Sequence, residues 1–176
     1  GNNYCAPYSW GSVGIAINTA KVTDPITSWN ALWDERYAGK VTVLDEPRSG
    51  IVPALRKLGY SINTENPTEI HAAFALMDQL HSHLKGYTSD RYLELLRNDD
   101  AWLAMGYSGD VLKFSETNRK IQYVVPSEGS ELWVDSICIL KSSKNKKLAH
   151  QLMNMLLSPE NGAKFTEASG FATPNK

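Results

Sequence analysis

The sequence predicts an α/β fold, with short strands alternating with longer helices, and three observations support this. Runs of β-branched and apolar residues such as Lys40–Leu44 and Ile121–Val125 are short enough for buried strands. Between them lie segments whose apolar residues return every three or four positions, the period of a helix with one buried face. Those segments open on helix-start signals, most clearly Asn66-Pro67-Thr68-Glu69, where a cap, a proline at the first helical position and an early acid coincide.

Composition limits the function classes. With 176 residues, 42% hydrophobic and 21% charged residues and a net charge of −1, the chain reads as soluble and globular, one large domain or two small ones. No run of Lys or Arg is interleaved with aromatics, so nucleic acid is not an expected partner. No apolar segment is long enough to cross a bilayer, and Gly1–Cys5 does not read as a signal peptide, so any export signal is expected upstream. Cys5 and Cys138 lack metal-ligand spacing and are read as two small buried apolar residues. His81 and His83 stand two apart and do not face each other on a helix, and His71 adds no suitable partner, so no metal site is expected. The sequence carries no G-x-S-x-G, no H-E-x-x-H and no phosphate loop, which argues against a hydrolase or a cofactor enzyme.

Along the chain, Tyr4–Tyr8 and Ser12–Asn18 read as two short extended pieces, since Val13, Ile15 and Ile17 alternate with small residues. Ser28 is a plausible cap for a short helix that places Trp29, Leu32 and Trp33 toward a core. After the strand Lys40–Leu44, Asp45–Gly50 forms a turn into a helix from Ile51 to Leu58. Asp45 and Glu46 suit capping there, and equally suit ligand contact, because strand ends of α/β sheets are where ligands bind. The helix opening at Asn66 is expected to run to about Leu84, with Ile70, Ala73, Phe74, Met77, Leu80 and Leu84 inward. Thr88-Ser89-Asp90 caps a helix from Arg91 to Arg97. A strand from Ala101 to Met105 then ends at Gly106-Tyr107-Ser108-Gly109-Asp110, where Tyr107 and Asp110 offer a ring and a carboxylate about one helical turn apart. A strand-to-helix turn stabilised by Asp110 is the alternative. Asn145–Leu157 is expected to be an amphipathic helix with Leu148, Leu152, Met155 and Leu156 inward, followed by a helix from Pro159 to Ala168. Lys141, Lys144, Lys146 and Lys147 form a basic patch that suits solvent or a transporter surface.

The stretch Glu128–Ser136 carries the strongest chemical signal. As a strand, it places Trp133 and Asp135 on one face. A ring beside a carboxylate suits an organic amine, since the ring attracts a cation and packs methylenes while the carboxylate accepts a charge-assisted hydrogen bond. A core tryptophan with an aspartate at a strand end is the alternative.

E-G-S-E-L-W-V-D-S, together with A-P-Y-S-W-G-S-V-G-I-A-I-N, Y-A-G-K-V-T-V-L-D-E-P-R, A-M-G-Y-S-G-D-V, L-L-S-P-E and G-F-A-T-P-N-K, resembles the polyamine-binding proteins of spermidine and putrescine ABC importers, nearly end to end. The resemblance implies a periplasmic-binding-protein-like (type II) α/β lobe with a mixed sheet flanked by helices, plus part of a second lobe. It implies residues 1–11 as a first crossing segment, 12–126 as lobe two, 127–134 as a second crossing and 135–176 as a return to lobe one. It also implies an extracytoplasmic binding protein, periplasmic or membrane-anchored, with permease subunits as partners and chemistry that ends at binding. The ligand residues it implies are Trp133, Asp135, Tyr107, Asp110, Glu46, Ser49, Trp10 and Phe171. Ser49 stands where spermidine binders typically have another acid, Tyr107 where the family has a tryptophan, and Phe171 where a tyrosine is common. Those departures keep a different amine-bearing solute open, as well as an interaction or sensory lobe that binds no amine. Two incomplete lobes are expected to expose apolar surface and strand edges, favouring self-association. If the two crossing segments run side by side, a Cys5–Cys138 disulfide becomes a further option.

Overall fold

The structure is a computed structural model that describes residues 4–175. The chain divides into two compact units, one of Gly1–Gly11 with Leu132–Lys176 and one of Ser12–Glu131. In chain order the elements are β1 (Cys5–Asn18), β2 (Val41–Val43), α1 (Pro47–Gly50), α2 (Val52–Lys57), α3 (Pro67–His81), β3 (Leu84–Tyr87), α4 (Tyr92–Arg97), β4 (Leu103–Tyr107), α5 (Ser108–Thr117), β5 (Ile121–Val124), β6 (Leu132–Cys138), α6 (Lys146–Leu156) and α7 (Pro159–Ser169). Two 3-10 turns, Trp29–Trp33 and Glu35–Tyr37, precede β2.

The Ser12–Glu131 unit holds a mixed sheet in the order β3-β2-β4-β1-β5. β2 runs parallel to β3 and β4, while β1 runs antiparallel to β4 and β5. All three residues of β2 are buried, as a parallel strand covered on both faces requires. Val13, Ile15, Val41, Leu103, Met105 and Ile121 from the sheet, with Trp29, Leu32, Leu80 and Leu96 outside it, form the core. Each such side chain contributes about 1.5–3 kcal/mol by leaving water. The ladder also sets which ends meet. Val41 pairs with Leu103 and Thr42 with Ala104, so the C-terminal ends of β2 and β4 share one edge. Val13 pairs with Tyr107 in the opposite direction, which brings Ser12 and Val13 to that edge as well.

Several expectations are corrected. The two N-terminal pieces are one strand, because Trp10 continues the pairing through both of its bonds with Ala172 (Trp10 N–H to O 2.9 Å, Ala172 N–H to O 3.2 Å). The helix after β2 starts earlier than Ile51: Glu46 caps it and Pro47 occupies its first turn, so four residues of the expected turn are helical. α3 ends at His81 rather than Leu84, since His83 donates back to the Leu80 carbonyl and its own carbonyl accepts from Gly39 N–H at 2.7 Å. Leu84 then pairs with Val41 as the start of β3. Phe74, expected inside, is 54% exposed. β4 continues through Gly106 and Tyr107, because Val13 and Gly14 of β1 pair with them. Gly106 is required there: a Cβ would lie 2.6 Å from the Tyr92 ring.

In the other unit β6 pairs with β1, and Ile139 N–H donates to the Tyr4 carbonyl at 2.7 Å. α7 opens on the Ser158 cap with Pro159 in its first turn and closes on Gly170 in the left-handed region. The Tyr8 and Phe165 rings lie 4.7 Å apart. α6 forms as expected, but its apolar row does not turn inward. Leu148 is 65% exposed and Leu152 and Met155 are also exposed, while Met153 is buried. The periodicity is helical, yet no element of this unit covers that row among the described residues. The cysteines are corrected too. They are not buried apolar residues but a Cys5–Cys138 disulfide, Cys138 being exposed.

That bond ties β1 to β6 across 133 positions. Reduction, or Cys138→Ser, is expected to lower the stability of this unit by about 2–4 kcal/mol through the released chain entropy. Calorimetric unfolding with and without reductant checks this, and an unchanged midpoint would contradict it.

Candidate functional site

The shared edge of β2 and β4 collects most of the chemistry. Glu46 follows β2 and caps α1, accepting the Ser49 N–H at 2.6 Å. That hydrogen bond holds its carboxyl below the usual range against the opposing effect of burial. Ser49 is buried, and its hydroxyl donates to Glu131 Oε2 at 2.6 Å. Ser49 thus joins two carboxylates, one through its backbone and one through its side chain. Asp45 is exposed and lines an open hollow of about 770 Å³ with Tyr87, Ser89 and Asp100.

Tyr107 ends β4, and Asp110 sits in the first turn of α5. Tyr92 organises this pair. Its buried hydroxyl donates to Asp110 Oδ2 at 2.9 Å and accepts the Tyr107 N–H at 3.3 Å. Burial raises the Asp110 carboxyl above its ordinary value, and the Tyr92 hydrogen bond only partly offsets this. The Tyr107 phenol is also raised, first by burial and then by the charge of Glu46, with Ser89 opposing and Glu131 and Asp110 adding smaller contributions. Ser49 joins Glu46 to Glu131, and Tyr92 joins Asp110 to the Tyr107 backbone, so the three carboxylates gather at one edge of the sheet. An edge that gathers carboxylates favours a cation and disfavours an anion.

The segment 127–131 is fixed from several sides. Ser127 N–H donates to the Thr27 carbonyl at 2.8 Å. Glu128 accepts from the Ser28 hydroxyl and the Trp29 N–H, and Trp29 Nε1 donates to the Gly129 carbonyl at 2.9 Å. Gly129 has φ +85, and a side chain there would strike the Arg56 guanidinium. Ser130 Oγ donates to the Val13 carbonyl at 2.6 Å, and Val13 N–H donates to the Glu131 carbonyl at 3.1 Å. Glu131 therefore arrives at the β1 end of the same edge. Sequence reasoning read it only as the last residue of a turn; E-G-S-E before the apolar run was the available signal, and it looked like turn chemistry.

The remaining expected residues lie in the other unit. Trp133 and Asp135 alternate along β6, Trp133 half-buried and Asp135 exposed. The Trp133 ring meets Phe171 edge to face, with centroids 5.2 Å apart and planes at 68°. Trp10 pairs with Ala172, and its Nε1 donates to the Thr173 carbonyl at 3.3 Å. This unit thus groups two rings in contact, with a third one residue away in the pairing partner of Phe171's neighbour. Within the Ser12–Glu131 unit the structure brings together Glu46, Ser49, Tyr107 and Asp110, and adds Glu131 and Tyr92. Among the described residues no group of His, Cys, Asp and Glu is arranged to hold a metal ion.

Comparison with known proteins gives the arrangement a context. A sequence model for bacterial extracellular solute-binding proteins matches residues 1–176. The spermidine/putrescine-binding periplasmic protein of Escherichia coli (strain K12) is 36% identical over 176 residues, covering 99% of this chain and 50% of that protein. The putrescine-binding periplasmic protein SpuD of Pseudomonas aeruginosa is 31% identical over 192 residues, covering 99% of this chain and 52% of that protein. The solved structure of the spermidine/putrescine ABC transporter substrate-binding protein PotD from Streptococcus pneumoniae matches with a TM-score of 0.85 at 31% identity, covering 99% of this chain and 54% of that one. The chain spans about half the length of the relatives it matches.

Tyr92→Phe isolates the role of the buried hydroxyl. It leaves Asp110 without its donor and Tyr107 N–H without its acceptor, so a loss of about 1–3 kcal/mol is expected in denaturant unfolding. The Asp110 pKa should rise further, because the lost hydrogen bond favoured the charged form. NMR titration of that carboxyl reads the shift, and no upward movement would contradict the assignment.

Proposed function

The chain belongs to the bacterial extracellular solute-binding protein family, and on that premise we propose that the protein binds linear polyamines such as putrescine and spermidine and delivers them to the permease of an ABC importer. The observation that carries this reading is the gathering of carboxylates at one edge of the sheet, Glu46 and Glu131 joined through Ser49 at 2.6 Å each and Asp110 tied through Tyr92 to the Tyr107 backbone. An ammonium group has N–H donors for such acceptors, and each buried charge-assisted contact contributes about 1.5–3 kcal/mol. The Trp133 and Phe171 rings of the other unit, with Trp10 near them in sequence pairing, suit a methylene stem, and Asp135 suits an ammonium. Relatives named for putrescine and spermidine support the ligand class. The family is one of solute binding, which supports a chemistry of binding and release without turnover.

Calorimetric titration of putrescine, spermidine and spermine into the full-length protein tests the proposal. Saturable heats are expected, with affinity reduced at least about 10-fold by a Trp133→Ala, Asp135→Ala double variant. No heat with any of the three amines from the folded protein would overturn it. The pH dependence has a fixed sign. Amines stay protonated through the acid range, while Asp110 takes up its proton above the ordinary carboxylate value. Affinity is therefore expected to fall as pH is lowered through that raised pKa, and Asp110→Asn should flatten the fall.

A further inference from the structure

Ser49 leaves one position of the edge without an acid, and the structure shows where a carboxylate stands instead. Glu131 is 8% exposed, a nine-tenths buried carboxylate. Its Oε2 takes the Ser49 hydroxyl at 2.6 Å. Its Oε1 receives no hydrogen bond among the described residues, the Arg48 Nε lying 4.0 Å away on a side chain that is itself exposed. Oε1 is not among the partnerless side-chain atoms shut off from solvent, so it has acceptor capacity open to a donor from outside the chain. The backbone around it is held by Gly129, Ser130 and Val13, so the carboxylate is presented by a fixed segment.

We propose that Glu131 is a specificity-determining residue for the polyamine, accepting a terminal primary ammonium in place of an acid at position 49, with Ser49 orienting it through its hydroxyl. This rests on the polyamine reading above. Geometry explains the exchange. The Ser49 O–H is committed to Glu131, so the carboxylate at the end of the 127–131 segment stands one hydrogen bond away from position 49 on α1. An ammonium bearing three N–H groups can use Oε1 while Ser49 keeps Oε2. An acylated nitrogen, neutral and with one N–H, gains far less from that oxygen.

The experiment compares putrescine with N-acetylputrescine, titrated into the full-length protein and its variants. Glu131→Gln keeps the shape and removes the charge; putrescine affinity is expected to fall about 10- to 100-fold, N-acetylputrescine affinity much less, so that discrimination between the two shrinks. Adding Ser49→Glu to that variant returns a charge from the other side of the hydrogen bond and is expected to restore putrescine affinity to within about threefold of the original protein. A purely structural Glu131 would lower the thermal midpoint without changing discrimination, and would not be rescued. Unchanged discrimination in a folded Glu131→Gln protein overturns the inference while leaving the polyamine reading intact. Should Glu131→Gln fail to fold, the double variant decides: recovery supports the exchange of charge, and a larger loss overturns it. Failure of the unaltered protein to bind either amine removes the polyamine reading and this inference together.

Discussion

The parallel pairing of β2 with β4 is the constraint on which the candidate site depends. Strands that run the same way end on the same side, so the turn after β2 and the turn after β4 meet although about 60 residues separate them in sequence. β1, inserted antiparallel between β4 and β5, presents its opposite end at that edge and receives the 127–131 segment there. Three carboxylates from three separate parts of the chain, Glu46, Asp110 and Glu131, thereby come to one edge. Had β2 paired antiparallel, Glu46 would lie at the far end of the sheet from Asp110.

Holding like charges together in a half-buried place requires compensation, and the unit supplies it with neutral donors. Glu46 has the Ser49 N–H, Glu131 the Ser49 O–H and Asp110 the Tyr92 O–H. Hydroxyls and amides stabilise a carboxylate without cancelling its charge, unlike an arginine in close contact. Arg48 also stands near, its Nε 4.0 Å from Glu131 Oε1 on an exposed side chain, so it offsets part of the negative potential of the edge; what remains is the property a cationic ligand would use. Elsewhere in the unit carboxylates are paired with cations in the ordinary way, as Asp99 is with Lys120 and Lys21, where the contacts hold the Asp99 carboxyl at about 2.

The sequence was most legible where local chemistry and tertiary role agree. The Asn66-Pro67 start, the Ser28 cap, the helix start at Pro159 and the β5 strand all lie where their residues indicate, because each signal acts within a few residues. It was least legible where a distant strand intervened. Leu84 reads as the last inward residue of a helix until β2 captures it as the start of β3, and Gly106-Tyr107 reads as a turn until β1 pairs with it. The apolar row of α6 fixes a helix but not what covers it, since periodicity describes one face and says nothing of a partner.

By itself, then, the chain determined its α/β class, the helix starts at Ser28 and Asn66 and the residue types able to bind an amine, because those follow from side-chain volume, hydrogen bonding and periods of 2 and 3.6, whereas α4 begins at Tyr92 with no side-chain cap. Glu46, Tyr107 and Asp110 stood out as strand-end residues, and Trp133 with Asp135 as a ring and carboxylate on one strand face. Only the tertiary structure decided that Ser49 bridges Glu46 and Glu131, that Tyr92 carries Asp110, and that Cys5 is bonded to Cys138. Each of those contacts joins residues at least three positions apart, and all but one join segments far apart in the chain, where no local preference specifies the partner and the register of the sheet does.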